Sequence, residues 1–203
     1  MARFEYDIGI IGAGAAGLTV AASSAQLGAK TLLVEKEYAL GGDCLHYGCV
    51  PSKTLIKSSR IYHRLKHTDR YGLPGVKVPP VDFTHVAERI RSVIAYIQNH
   101  DSVDRFCKLG AQVEFGCPGF VDEHTISLNG KTYSSKKWVI ATGSSPAIPP
   151  IEGLRESGYL TNRDIFSLNT LPESLIILGG GPIGIEMGQA FRRLGSDVAV
   201  VDL

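Results

Sequence analysis

Cys44 and Cys49 are the residues whose type and spacing first suggest chemistry in this 203-residue chain. The chain has only four cysteines, the others being Cys107 and Cys117, too few for the disulfide framework of a small secreted domain. A cytosolic setting keeps structural thiols reduced, so a cysteine pair calls for a chemical explanation. A tetrahedral zinc site needs a second close-spaced Cys/His pair, which this segment lacks, and no metal site is expected. Pro51 suits the first turn of a helix running through Lys53, Leu55, Ile56, Ile61 and Leu65, because its missing N–H costs nothing there. Cys49 then sits at a helix N-terminus, where the dipole favours thiolate over thiol and makes a cysteine a nucleophile. The plain structural alternative is a pair of small buried apolar side chains.

The second chemical feature is written twice. Ile8–Gly17 aligns with Leu175–Gly184 at an offset of 167 residues, and Leu27–Glu35 aligns with Leu194–Asp202 at the same offset. Each copy reads as a buried strand, a glycine turn, a helix, a Leu-Gly stop and a second apolar strand ending in a carboxylate. That is a βαβ half of a dinucleotide-binding fold. The first glycine (Gly12, Gly179) makes the tight turn, the second (Gly14, Gly181) admits a pyrophosphate, and the third (Gly17, Gly184) allows close packing of helix on strand. The pyrophosphate is expected on the helix N-terminus, against Ala15 and Ala16 in the first copy and Ile183 in the second. Glu35 and Asp202 each lie 18 residues past the third glycine, placed to accept hydrogen bonds from ribose hydroxyls, with Lys36 expected at the same site. Glycine turns also serve ordinary packing, but two copies in full context argue against that reading. Two sites imply two different dinucleotides, one of which can be a bound flavin and the other a diffusing nicotinamide. If Asp202 faces the second ribose it repels a 2′-phosphate, so NAD(H) is expected over NADP(H).

Between the copies runs Gly41-Gly42-Asp43-Cys44-Leu45-His46-Tyr47-Gly48-Cys49-Val50-Pro51-Ser52-Lys53. This segment resembles the active-site signature of the class I pyridine nucleotide-disulfide oxidoreductases, the family of dihydrolipoamide dehydrogenase, glutathione reductase and mercuric reductase. The resemblance implies an FAD enzyme in which Cys44 and Cys49 form a redox-active disulfide. Cys49 would lie against the flavin and Cys44 would meet the substrate. Lys53 would stabilise negative charge on the flavin ring. Gly41, Gly42 and Gly48 would bring backbone close to that ring, and Asp43 stands where the family carries threonine. Ala141-Thr142-Gly143 resembles the segment where the chain leaves the flavin domain beside the cofactor, and Gly119-Phe120 the segment brought against its adenine. The implied acceptor is a small disulfide or dithiol, or a metal ion. A homodimer is implied for the full-length protein, and this portion alone is not expected to turn over. Two other classes stay open: a non-catalytic flavin-binding module whose cysteines sense redox state, and a flavin reductase or transhydrogenase that does not use them.

The elements that must position these residues give an α/β fold. Residues 1–150 are expected as an FAD-binding Rossmann-like domain, with a parallel sheet, helices and an inserted antiparallel meander. Residues 151–203 are expected as a linker and the start of a second, NAD-binding Rossmann-like domain. The meander includes a hairpin from Gly119 to Tyr133 turning at Asn129-Gly130, a type I′ signal. Residues 82–109 read as one long amphipathic helix, with Cys107 continuing its apolar stripe and expected to pack. His46 reads as a solvated loop residue. Lysine and arginine (21) nearly balance aspartate and glutamate (20), which argues against nucleic acid as a partner. No apolar run approaches the ~20 residues of a membrane span, and the early first strand leaves no room for a signal peptide, so a cytoplasmic location is expected.

Overall fold

The computed structural model describes residues 4–202. They form two compact units, one of residues 4–46 and 95–150, the other of residues 47–94 and 151–202.

The first unit is built on a six-stranded sheet of β1 (Tyr6–Ile11), β2 (Thr31–Glu35), β3 (Ala111–Phe115), β4 (Gly119–Phe120), β5 (Thr125–Leu128) and β6 (Lys131–Ile140), in the order β3-β2-β1-β6-β5-β4. β1, β2, β3 and the end of β6 run parallel, whereas β4, β5 and the start of β6 are antiparallel. The meander is therefore no appendage, because β6 pairs first with β5 and then with β1 over its ten residues. Asn129 (φ 51°) and Gly130 (φ 77°) supply the two positive φ angles of the hairpin turn, as their sequence signals.

Side chains alternate across this sheet. Ile10 and Leu33 face α1 (Ala15–Gln26), and pack with Ala21, Ala25 and Phe106. Ile11, Leu32 and Val34 face the other way, onto Ile126, Leu128 and Tyr133. All five residues of β2 are buried, which explains why Leu32, Leu33 and Val34 follow one another without polar alternation. A Cβ at Gly9 would enter the Trp138 ring on β6, so that position must be glycine.

The second unit holds α3 (Cys49–Leu65), most of α4 (Phe83–Gln98), a 3-10 turn at Thr68–Tyr71, α6 (Asn162–Ile165) and the second repeat: β7 (Ser174–Leu178), α7 (Pro182–Leu194) and β8 (Asp197–Val201). Leu55 of α3 and Phe83, Ala87 and Ile90 of α4 bury against Met187, Ala190, Phe191 and Leu194 of α7. Residues 47–94 thus take their core from the segment after 150.

The long helix expected over 82–109 is two helices, α4 and α5 (Val103–Leu109). Ser102 caps α5, its hydroxyl accepting from the Arg105 N–H at 3.4 Å, and a serine cap competes with helix continuation. The break turns Cys107 outward, where it is exposed, while its neighbour Phe106 is buried. No helix among the described residues is long and apolar enough to cross a membrane.

Candidate active site

In the first unit the chain closes around the first glycine turn from three directions. Gly12 takes φ 101°, and a Cβ there would strike the Ala141 carbonyl and lie 3.1 Å from the Thr142 Cα. The Ala141 N–H donates to Ile11 O at 2.8 Å, so the Ala141-Thr142 segment lies directly on the turn. Gly41 (φ 116°) donates its N–H to Ala13 O at 2.8 Å. A Cβ on Gly42 would come within 2.7 Å of the Gly14 Cα. At Gly17 a Cβ would run into the Gly12 carbonyl. Only glycine permits these approaches.

Glu35 ties the turn together. It is buried, and its carboxylate accepts N–H bonds from Ala13 (2.6 Å), Lys36 (2.7 Å) and Glu37 (2.9 Å). A buried carboxylate requires such donors; Oε1 accepts two of them, and Oε2, which accepts one, keeps lone-pair capacity for a ribose hydroxyl. Lys36 itself is exposed.

The second turn repeats this geometry residue for residue at the 167 offset. The Gly180 N–H donates to Asp202 Oδ1 at 3.0 Å, as Ala13 does to Glu35. Gly12 donates to Val34 O at 2.8 Å and Gly179 to Val201 O at 2.7 Å. A Cβ at Gly184 would strike the Gly179 carbonyl. Gly14 and Gly181 begin α1 and α7 with no side-chain cap, and neither first turn holds an acid. At Gly181 an added Cβ would meet nothing within 4 Å, and at Gly14 only the Gly42 Cα at 3.9 Å. Uncapped helix N–H groups beside open space fit a dinucleotide pyrophosphate at both turns. Ile183, in the first turn of α7, is 72% exposed.

Gly41–Gly42 lead into the short helix α2 (Gly42–His46), which holds Asp43 and the half-buried Cys44. Cys49, exposed, is the first residue of α3, whose N-cap is Gly48 with no side-chain bond. His46 is not the solvated residue expected: it is half-buried, with its Nε2 3.1 Å from Leu40 O.

Lys53 on α3 meets Glu186 on α7, Nζ lying 2.7 and 2.5 Å from the two carboxylate oxygens. The sequence reading did not single out Glu186. Its counterpart at the repeat offset is Thr19, and an acid appearing in one copy alone was the available signal. The pair is partly exposed, so it contributes at most about 1 kcal/mol to stability; its consequence is to hold the ammonium in one place.

Gly119 and Phe120 do not join this group. They form β4 at the sheet edge, three strands from β1, with Phe120 edge-on to Trp138 at 5.9 Å. Gly116 instead donates its N–H to the backbone carbonyl of Glu35 at 2.8 Å.

Comparison with known proteins identifies the family. The chain is 35% identical over 197 residues to a mercuric reductase of Lysinibacillus sphaericus, covering 97% of this chain and 36% of the relative. It is 34% identical over 203 residues to a dihydrolipoyl dehydrogenase of Acholeplasma laidlawii, covering 98% and 60% respectively. The chain thus spans between about a third and three fifths of the length of these relatives. Among solved structures it resembles the Cu(II) complex of the HOCl-induced flavoprotein disulfide reductase RclA from Escherichia coli, with TM-score 0.81 and 28% identity over 96% of this chain and 41% of that one. Residues 6–203 match the family described as pyridine nucleotide-disulphide oxidoreductase, and the chain belongs to it.

Proposed function

We propose that the full-length protein is an FAD-dependent oxidoreductase that moves electrons between NAD(H) and a small disulfide, dithiol or metal-ion acceptor through Cys44 and Cys49. The observation that carries this reading is the contact between the cysteine segment and the first nucleotide turn: Gly41 N–H on Ala13 O at 2.8 Å, with Gly42 against Gly14. Glycines that begin the cysteine segment close the dinucleotide turn, which ties thiol chemistry to nucleotide binding.

In this reading FAD would be held by the Gly12–Gly17 turn, Glu35, Gly41, Gly42 and the Ala141–Gly143 segment. When bound, it supplies a two-electron acceptor for hydride. Cys49, at the start of α3, is the thiol proposed to face it, and Cys44 the one that exchanges with substrate. Lys53, steadied by Glu186, would stabilise negative charge developing on the ring. NAD(H) would bind at Gly179–Gly184, with Asp202 accepting from the ribose and repelling a 2′-phosphate. The relatives' names point to both partner classes, a dihydrolipoyl dithiol that gives up electrons and a mercuric ion that accepts them.

The test is anaerobic titration of the FAD-loaded full-length protein with NADH while recording the visible spectrum. A long-wavelength absorption band that Cys49→Ser abolishes is the expected result. Flavin reduction without that band, unchanged in Cys49→Ser, would overturn the cysteine relay. Comparison of kcat/KM for NADH and NADPH tests the cofactor choice, and an NADPH preference would overturn it.

A further inference from the structure

We propose that the first turn of α6 is a clamp on the cysteine loop, with Asn162 and Arg163 as positioning residues that hold Tyr47 and so favour disulfide formation between Cys44 and Cys49. The proposal rests on the reading of those cysteines as a redox pair and adds a determinant to it.

Tyr47 and Gly48 are the two residues between the end of α2 and the start of α3. α6 grips Tyr47 at two points. The Asn162 amide Nδ2 donates to the Tyr47 carbonyl at 3.2 Å, across 115 residues of sequence. The Arg163 guanidinium lies over the Tyr47 ring, 4.9 Å from its centroid, a cation–π arrangement.

α6 is itself fixed at its start. Asp164 Oδ2 accepts from both the N–H and the hydroxyl of Thr161 at 2.8 Å, and Thr161 Oγ1 accepts from the Arg163 N–H at 3.2 Å. Phe166, just after it, is buried in the core of the second unit. A four-residue helix has little stability of its own; the capping box and the Phe166 anchor supply it.

The Asn162 amide shows that this is more than incidental packing. Its Oδ1 is buried with no hydrogen-bond partner, which is unfavourable. Flipping the amide would not help, because it would set Oδ1 against the Tyr47 carbonyl; the carbonyl therefore dictates the orientation. A buried group left unsatisfied calls for a compensating role, and holding the carbonyl two residues before Cys49 is one.

Disulfide formation by Cys44 and Cys49 orders the four residues between them, Leu45 to Gly48. Freedom removed from Tyr47 beforehand need not be lost at the moment of bonding, so the clamp raises the effective concentration of one thiol at the other. The reaction that reports this is exchange with glutathione. One S–S bond forms between Cys44 and Cys49 as the S–S bond of one glutathione disulfide breaks. The two electrons and two protons pass to the glutathione disulfide, which leaves as two molecules of reduced glutathione.

The experiment equilibrates the full chain, in a Cys107→Ser, Cys117→Ser background, over a series of glutathione redox ratios. Acid quench, alkylation and mass spectrometry then count the dithiol and disulfide forms. Asn162→Ala and the isosteric Asn162→Asp, which cannot donate, are each expected to shift the equilibrium constant about fivefold toward dithiol. Arg163→Gln, at an exposed residue, is expected to shift it about twofold to threefold. Ser167→Ala, an exposed residue on the same segment, is expected to leave it unchanged. Wild-type values in both Asn162→Asp and Arg163→Gln would overturn the clamp. A wild-type chain that forms no Cys44–Cys49 disulfide at any ratio would instead overturn the redox-pair reading beneath it.

Discussion

The two copies of the βαβ unit have the same backbone and opposite surroundings. Their strand registers agree at the 167 offset, Ile8 pairing with Thr31 as Leu175 pairs with Val198, and so do the glycine contacts and the bonds to the closing acid. Burial does not follow. β2 is wholly buried, whereas in β8 Val200 and Val201 are 41% and 47% exposed, and in β7 Ile176 is 70% exposed. β1 has hydrogen-bonded neighbours on both sides and β7 has one. The comparison teaches that the turn's geometry is a local property of its glycines, while the stability of the surrounding sheet comes from its neighbours.

Side-chain truncation should therefore separate the copies most. Leu33→Ala, at a fully buried position, is expected to cost about 3 kcal/mol. Its counterpart Val200→Ala should stay within about 0.5 kcal/mol in urea denaturation. Equal losses would show that the second sheet is as well covered as the first.

Changes inside the turn should do the reverse and treat the copies alike. Gly17→Ala and Gly184→Ala each drive a Cβ into the carbonyl of their own turn's first glycine, with an expected cost of about 2–3 kcal/mol in either case. A tolerant Gly184→Ala would mean that the second turn relaxes where the first cannot.

The closing acids should fall between these extremes. Glu35→Gln weakens a buried carboxylate that accepts from three backbone N–H groups, at an expected cost of about 1–2 kcal/mol. Asp202 is exposed, and Asp202→Asn should cost about 0.5 kcal/mol or less.

The smallest expected effect is at His63 of α3, to which the second copy contributes Arg193. Burial, then the charges of His67, Arg193, Arg70 and Lys66, hold the His63 imidazole below its ordinary pKa of 6.5; the first copy has Gln26 where α7 has Arg193. A base whose pKa is depressed on folding binds fewer protons folded than unfolded, so stability is full above pH 6.5 and declines as the pH falls through that value toward the folded pKa. His63→Gln should flatten this decline in a pH series of thermal midpoints. An unchanged slope would place the acid sensitivity elsewhere.

Much of the molecule was legible because its signals are local. The 167-residue repeat, the turns, the hairpin at Asn129-Gly130 and the helix starting beside Pro51 all follow from residues within a few positions of one another. Ser102 was equally local, and its capping role was hidden by an apolar periodicity that runs through it. The surroundings of Gly119-Phe120 were not legible for a different reason: past the end of β3 the pairing of whole strands sets which backbone group meets the Glu35 carbonyl, and that is Gly116.

By itself the sequence determined the α/β class, both glycine turns with their acids, and the cysteine segment between them, because φ angles, helix starts and strand alternation are set by near neighbours. Only the tertiary structure decided that Gly41 would bond Ala13, that Lys53 would meet Glu186 across 133 residues, and that Asn162 would reach the Tyr47 carbonyl across 115. Such meetings depend on how whole elements pack, and no pattern of adjacent residues encodes them.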